Sequence, residues 1–229
     1  SMAGYSKELL RRAAIHSALG EPARLAIIDE LSVSDRSPRD LGSRLHIPSN
    51  LLAHHLDTLE NIGLILRSTS SGDARRRYIR LNPTNLHIIG PRRVSTRKPL
   101  FFLCTHNSAR SQLAAAIWHA RTGQPAKSAG TQPAAHIHRQ AISAAKRNRI
   151  ELRDIAPSAL GKIPRNVQVV TVCDLVHEEL HAPRDWWHWS IPDPVPGGNP
   201  KAFDAVIAEL EGRVNQVINS TVTEKRVKS

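Results

Sequence analysis

In this sequence a cysteine ends an apolar run and lies six positions before an arginine. Residues 99–103 are Pro-Leu-Phe-Phe-Leu, which predicts a buried strand that Cys104 ends. Arg110 and Ser111 follow, and the alanine-rich segment Gln112–Trp118 predicts a helix. A strand, a short loop and a helix N-terminus bring backbone N–H groups and the positive end of a helix dipole together. The segment therefore predicts a binding loop for an oxyanion.

The residue types of this loop predict nucleophilic chemistry. The same local field is expected to lower the pKa of Cys104 toward the thiolate, which is the attacking form. Arg110 offers a planar fork that can hold two oxygens of a tetrahedral oxyanion. The residues predicted to bind the oxyanion or support the thiolate are Thr105, His106, Asn107, Ser108, Ala109 and Ser111. The alternative is a buried strand cysteine with an unrelated arginine.

The spacing Cys-x5-Arg-Ser resembles the low-molecular-weight protein tyrosine phosphatase superfamily, which includes phosphatase-like arsenate reductases. The run Ser128-Ala129-Gly130-Thr131 is also similar to that superfamily. Asp193-Pro194 stands where superfamily members carry their general acid, so the resemblance implies that Asp193 protonates the departing oxygen.

Strands and helices alternate from this point to the C-terminus. Further strands are predicted around 127–131, at Val167–Asp174 and at Trp186–Ser190, with a short helix at 157–161 and a final helix from Asn199. The pattern predicts an α/β domain with a small four-stranded parallel sheet over 98–222, followed by a tail at 223–229. The resemblance makes this fold phosphotyrosine phosphatase I-like. Ligands bind at the carboxyl ends of such strands, where Cys104 and Cys173 are expected.

The resemblance leaves two activities open. Tyrosine phosphatases of the superfamily usually have aromatic residues after Asp-Pro and a glycine two places after the nucleophile, whereas this chain has Val195 and His106. Arsenate reductases that use a low-molecular-weight thiol are similar to the segment Cys104–Gln112. We therefore favour arsenate reduction over phosphatase activity. No tightly bound cofactor is expected; an external thiol (mycothiol or glutathione with a redoxin, or thioredoxin) would complete the reaction.

Cys173 has two interpretations. In thioredoxin-linked relatives, two further cysteines near the third strand form a relay, and Cys173 matches the first of them. Leu180 stands where the second would be. Cys173 is thus either a resolving thiol or a buried strand cysteine.

The N-terminal segment has a different pattern. Helices are predicted at Tyr5–Leu19, Ala23–Leu31, from Ser37-Pro38, and at Leu51–Ile62, followed by a hairpin that turns at Gly72-Asp73. This order predicts a mainly α winged helix-turn-helix, with a helical protein-interaction domain as the alternative. The predicted base-reading residues are Ser49, Asn50, Ala53 and His54, and the predicted phosphate contacts are Arg75, Arg76 and Arg77.

Two stretches, Leu19–Leu25 and His55–Ile65, resemble the arsenic-repressor (ArsR) family of transcriptional regulators. That resemblance implies a homodimer on double-stranded operator DNA. Many members sense arsenite through cysteines in a Glu-Leu-Cys-Val-Cys-Asp stretch, but Ser32 and Ser34 stand at those two positions. Hydroxyls cannot replace thiolates as soft-metal ligands, so that sensor site is expected to be absent. The scattered histidines do not suggest a zinc site either, and no metal is expected. This domain is placed at 1–90, with a linker at 91–97.

Composition agrees with these predictions without deciding between them. The formal charge of +12 suggests a polyanionic partner. Two cysteines cannot form a disulfide framework, which favours a reduced, cytoplasmic setting. No apolar segment approaches the roughly 20 residues that cross a bilayer, so no membrane association is expected.

The sequence therefore predicts a bifunctional regulator and arsenate reductase. Two alternatives stand beside it: a regulator fused to a phosphatase, and a DNA-binding protein whose phosphatase-like domain is only a sensor.

Overall fold

The computed structural model describes residues 5–88, 98–152 and 156–220. These residues form two compact units, one mainly before and one after the 89–97 segment. The predicted linker at 91–97 and the predicted tail at 223–229 lie outside the described residues, as do residues 153–155.

The N-terminal unit consists of helices followed by an antiparallel pair of strands. Its elements are α1 (Lys7–Leu19), α2 (Pro22–Leu31), α3 (Pro38–Leu45), α4 (Ser49–Asn61), β1 (Ile65–Thr69), β2 (Arg77–Leu81) and a 3-10 helix (Pro83–Ile88). Local signals set the helix starts, since Ser37 and Asp40 form a capping box before α3. The prediction of a helical N-terminal part is confirmed, although α4 begins at Ser49 and not at Leu51.

The core of this unit forms from one apolar face of each helix and from the inner face of the hairpin. Ile27, Leu41, Leu59 and Ile79 are all fully buried in it. The two strands pair in the register Ile65↔Leu81 to Thr69↔Arg77. This packing leaves the loop between β1 and β2 at the far end of the hairpin from Leu81.

The C-terminal unit is an α/β domain with a four-stranded parallel sheet, as the sequence predicted. Its strands are β3 (Leu100–Cys104), β4 (Ala126–Gly130), β5 (Gln168–Thr171) and β6 (Trp187–His188), in the order β4-β3-β5-β6. Its helices are α5 (Arg110–Thr122), α6 (Arg139–Arg147), α7 (Asp174–Glu179) and α8 (Pro200–Ser220).

The register of the sheet brings the loops after its strands to one edge. Cys104 pairs with Gly130, and Leu103 pairs with Thr171. Helix α5 packs against β3 and β4, α8 packs against α5 and α6, and α7 contacts β3 and β5. The central strand β3 is buried along its whole length, which explains its unbroken apolar sequence.

Several details of this unit differ from the sequence-based predictions. Strand β5 ends at Thr171, Asp174 begins the unpredicted helix α7, and β6 contains only Trp187 and His188. Helix α5 begins at Arg110 and not at Gln112. The segment 157–161 is not helical, because its backbone bonds to the edge strand β4: Gly130 N–H donates to the Ser158 carbonyl (2.9 Å), and Leu160 N–H donates to the Gly130 carbonyl (2.8 Å). Among the described residues, no helix combines the length and apolar character needed to cross a bilayer.

Candidate oxyanion-binding active site

The sulfur of Cys104 lies in a loop of hydrogen-bond donors between β3 and α5. Its Sγ accepts from the Asn107 N–H (3.2 Å) and lies 2.9 Å from Ser111 Oγ. Ser111 Oγ also accepts from Asn107 Nδ2 at 2.7 Å. Because an amide nitrogen can only donate, the hydroxyl hydrogen of Ser111 is available to the sulfur. Ser111 therefore stabilises a thiolate at Cys104.

Asn107 holds the loop in its conformation. Its side chain is fully buried and its φ is +47°, a left-handed conformation that asparagine tolerates better than most residues. Nδ2 donates to Ser111 and to Ser128 Oγ (2.9 Å), while Oδ1 accepts from Gln112 Nε2 (3.1 Å) and from the Ser158 N–H (2.7 Å). The Asn107 side chain thus connects the loop to α5, β4 and the 157–161 segment.

The carbonyl groups of the loop are bonded to the segment 131–138. The acceptors are the carbonyls of Cys104, Thr105, His106 and Ser108, and the donors are the N–H groups of Thr131, Gln132, Ala134 and His138, at 2.9–3.3 Å. These carbonyls are therefore bonded to the 131–138 segment and do not face the sulfur. The Asn107 N–H and the N-terminus of α5 lie at the sulfur instead, and their partial positive charges give this side of the loop a positive potential.

Gly130 allows this loop to lie against β4. A Cβ atom at this position would be 2.5 Å from the Thr105 carbonyl oxygen and 2.9 Å from the Asn107 nitrogen. Real Cβ atoms do not approach backbone atoms that closely, so only glycine fits without moving the loop.

Arg110 and Asp193 lie together at the same edge of the sheet. The guanidinium of Arg110 donates through Nη1 to the Ile191 carbonyl (3.1 Å), and its Nη2 is 3.3 Å from Asp193 Oδ2. Arg110 is buried, whereas 39% of the Asp193 side chain is exposed. Asp193 Oδ1 also accepts from the Val195 N–H at 3.2 Å. A cation that can bind an oxyanion and a carboxyl that can supply a proton are therefore adjacent.

Burial raises the pKa of the Cys104 thiol above its ordinary value, while the Ser111 hydrogen bonds and the Arg110 charge act to lower it. The expectation of a lowered pKa is therefore wrong for this thiol, because loss of solvent around a residue that is only 3% exposed outweighs the local donors. Attack by this sulfur requires that its proton leave first or during the reaction.

The remaining predicted residues of this half lie around the loop. His106 is exposed and its Nδ1 is 2.9 Å from the Gln132 carbonyl oxygen. Ser108 is half-buried, and Ala109 is the residue before the first turn of α5. Cys173 is buried, with its Sγ 3.3 Å from Thr105 Oγ1. Both cysteines are free thiols.

The predicted DNA-contacting residues belong to the N-terminal unit. Ser49, Asn50, Ala53 and His54 are exposed on the first half of α4, and Arg75, Arg76 and Arg77 are exposed at the start of β2 and just before it. Their roles stay predictions. No group of three His, Cys, Asp or Glu side chains within the described ranges is placed to hold a metal ion.

Sequence reasoning did not select a buried polar group beside β5. His188 is fully buried, with Nε2 3.1 Å from Asp174 Oδ1 and Nδ1 2.9 Å from Thr171 Oγ1. Although burial opposes ionisation, the hydrogen bond and charge of His188 lower the pKa of Asp174 to about 2. No local pattern pairs residues this far apart in sequence, so only the fold reveals the group.

The fold and this site together define a class of protein: a parallel α/β domain with a cysteine in a loop of hydrogen-bond donors that ends at an arginine, and with an aspartate beside that arginine. Residues 99–228 match the family described as low molecular weight phosphotyrosine protein phosphatase. This match covers more than half of the sequence, and the chain belongs to that family.

Comparison with solved structures gives matches that align with about half of this chain and with most of their own. The tyrosine phosphatase amsI of Erwinia amylovora is 21% identical and aligns over 56% of this chain and 95% of its own, with a TM-score of 0.48. The YwlE arginine phosphatase of Geobacillus stearothermophilus is 26% identical over 52% of this chain and 90% of its own (TM-score 0.45). An arsenate reductase of Archaeoglobus fulgidus is 24% identical over 52% and 98%, respectively (TM-score 0.44). A comparison with curated proteins gave no match.

Proposed function

We propose that the C-terminal domain is a thiol-dependent arsenate reductase and that the N-terminal unit is a winged-helix, ArsR-type transcriptional regulator. The observation that carries the enzymatic part is the placement of Cys104 Sγ among the Asn107 N–H and the Ser111 hydroxyl, in the loop that ends at Arg110. In this proposal Cys104 attacks arsenic(V), Arg110 and the loop amides hold the oxyanion, and Asp193 protonates the departing oxygen.

The reaction balances with an external thiol. Cys104 Sγ forms a bond to arsenic as an As–O bond breaks, and the departing oxygen leaves as water after protonation. A second thiolate then attacks Cys104 Sγ, so a disulfide forms and the electron pair of the S–As bond reduces arsenic(V) to arsenic(III), which leaves as arsenite. A low-molecular-weight thiol or a redoxin restores the Cys104 thiol.

The rim of the site supports a small inorganic oxyanion. The residue after Asp193-Pro194 is Val195, which is 41% exposed and has no ring to hold a phenyl group. His106 is exposed on the loop itself. Phosphatase activity on an ester is the second candidate, because it shares the first chemical step.

The N-terminal proposal rests on the exposed first half of α4 and on the exposed arginines at 75–77. Asn50 can bond adenine in two places, and the arginines can neutralise phosphates. A homodimer would present two such helices to operator half-sites roughly 34–36 Å apart. This part predicts salt-dependent binding of double-stranded DNA by the full chain.

The decisive experiment compares arsenite release from arsenate with turnover of p-nitrophenyl phosphate. Wild type, Cys104→Ser and Asp193→Asn are assayed with glutathione or mycothiol plus a redoxin, and with thioredoxin. Arsenite release that depends on both a thiol and Cys104 supports the proposal. Steady phosphate ester turnover without arsenite release would replace it with the phosphatase. Absence of both, with DNA binding intact, would leave a sensor domain.

A further inference from the structure

The polar group beside β5, buried except for the half-buried His177, shares none of the hydrogen bonds described for Cys104, and its presence needs a reason. We call it the histidine cluster: Thr171, Asp174, His177 and His188. The rings of His177 and His188 stack at 4.1 Å, and both Nδ1 atoms lie 2.9 Å from the single hydroxyl of Thr171. Buried polar groups cost free energy unless they are fully bonded, and well-packed apolar side chains would often be as stable.

The location of His188 in the chain suggests what the cluster does. Strand β6 has only two residues, Trp187 and His188, and it is an edge strand that pairs with β5 alone. Trp189 N–H adds one more bond, to the Thr171 carbonyl (2.9 Å). So short a ladder fixes the direction of the following chain weakly. The side chain of His188 adds two bonds, to Thr171 on β5 and to Asp174 on α7.

The chain that leaves β6 carries both contacts of the catalytic arginine. Three residues after His188, the Ile191 carbonyl accepts from Arg110 Nη1, and five residues after it Asp193 lies 3.3 Å from Nη2. At about 3.3 Å per extended residue, Ile191 is within roughly 10 Å of the His188 anchor. A shift of β6 by a fraction of a residue would therefore move the acid and the arginine together.

We propose that Asp174 and His188 are positioning residues that fix the loop 189–195, and through it the general acid Asp193 and the guanidinium of Arg110. Neither residue touches the substrate. The inference rests on the proposed function for its kinetic consequence, but its structural consequence is independent of any activity.

The test uses the full chain with His188→Phe, which keeps the ring and its stacking but removes the side-chain hydrogen bonds to Thr171 and Asp174. The control is His177→Phe, which removes the hydrogen bond between His177 and Thr171. His177 belongs to α7 and is not followed by the loop 189–195. Hydrogen exchange of residues 189–195 is measured by mass spectrometry. We expect roughly tenfold faster exchange in His188→Phe and unchanged exchange in His177→Phe. Unchanged exchange in His188→Phe would overturn the inference.

Kinetics give the second readout. A displaced acid should matter more for a poor leaving group, so kcat with phenyl phosphate should fall about 10²-fold in His188→Phe while kcat with p-nitrophenyl phosphate falls much less. In an Asp193→Asn background the same change should add little. Equal losses for both esters, or full additivity with Asp193→Asn, would contradict positioning.

Two provisions keep the outcomes distinct. If His188→Phe does not fold, Thr171→Val removes one of its anchors at nearly constant volume and carries the same measurements. If wild type releases no arsenite from arsenate, the proposed function fails, and the exchange experiment still decides whether the cluster fixes the loop.

Discussion

Replacement of Asn107 by alanine tests whether one buried side chain holds the whole binding loop. The change removes four hydrogen bonds, to Ser111, Ser128, Gln112 and the Ser158 N–H. At about 1 kcal/mol net for each bond the loss is about 4 kcal/mol. Alanine in the left-handed conformation at φ +47° costs about 1 kcal/mol more. With partial relaxation around the smaller side chain, we expect the free energy of unfolding to fall by about 3–5 kcal/mol.

The tryptophans make this measurement specific to the C-terminal unit. All four, Trp118, Trp186, Trp187 and Trp189, belong to it, so selectively excited tryptophan fluorescence during urea unfolding reports on this unit. The control is Asn148→Ala, since Asn148 is exposed and its side chain donates to the Ala144 carbonyl (2.9 Å) and to Asp204 Oδ1 (3.1 Å) at the surface of the unit. The control should lose less than about 1 kcal/mol. A similarly small loss of unfolding free energy for Asn107→Ala would refute the conclusion that this side chain holds the loop in its conformation.

Three further changes test separate parts of the structure. Ser111→Ala removes a donor that favours the thiolate, so the pKa of Cys104 should rise and the pH dependence of its alkylation rate should move to higher pH. An unchanged pH dependence would show that Ser111 does not donate to the sulfur. Gly130→Ala should weaken orthophosphate binding measured by calorimetry, because its Cβ would lie 2.5 Å from the Thr105 carbonyl oxygen. The control Gly161→Ala should bind orthophosphate like wild type, because its Cβ meets nothing within 4 Å, and equal affinities of the two variants would contradict the close approach at Gly130. For the proposed DNA binding, alanine at 75, 76 and 77 should reduce the slope of log affinity against log salt concentration by about 0.9 for each phosphate that the variant no longer neutralises. An unchanged slope would exclude these arginines from the predicted interface.

The parts of the site that the sequence predicted are those encoded within a few residues. The apolar run before Cys104, the six-residue step to Arg110 and the helix after it occupy one continuous stretch, so each constrains the next. Asp193 lies far along the chain and was selected only through the family resemblance, and the structure places it 3.3 Å from Arg110.

Other parts depend on the fold and leave no local signal. Ser158 donates to Asn107 across 51 positions of sequence, and it lies in a segment whose sequence predicted a helix. That segment is extended because the backbone of Gly130 at the sheet edge offers it a donor and an acceptor. The pKa of Cys104 also depends on the fold. The sequence indicates donors near the sulfur, but it does not indicate how deeply the sulfur is buried, and burial raises this pKa.

The proposed reduction step depends on which thiol attacks Cys104, and Cys173 provides the test. This residue is 2% exposed and its Sγ contacts Thr105 Oγ1 at 3.3 Å, so it is bonded within the core beside the loop. If Cys173 attacked Cys104 as a resolving thiol, it would lose its contact with Thr105, which disfavours that role. We therefore expect Cys173→Ser, which keeps the size and the bonding capacity of the side chain, to retain thiol-dependent arsenite release. Trapping of a Cys104–Cys173 disulfide in wild type, with loss of multiple turnovers in Cys173→Ser, would contradict this and make Cys173 the resolving thiol.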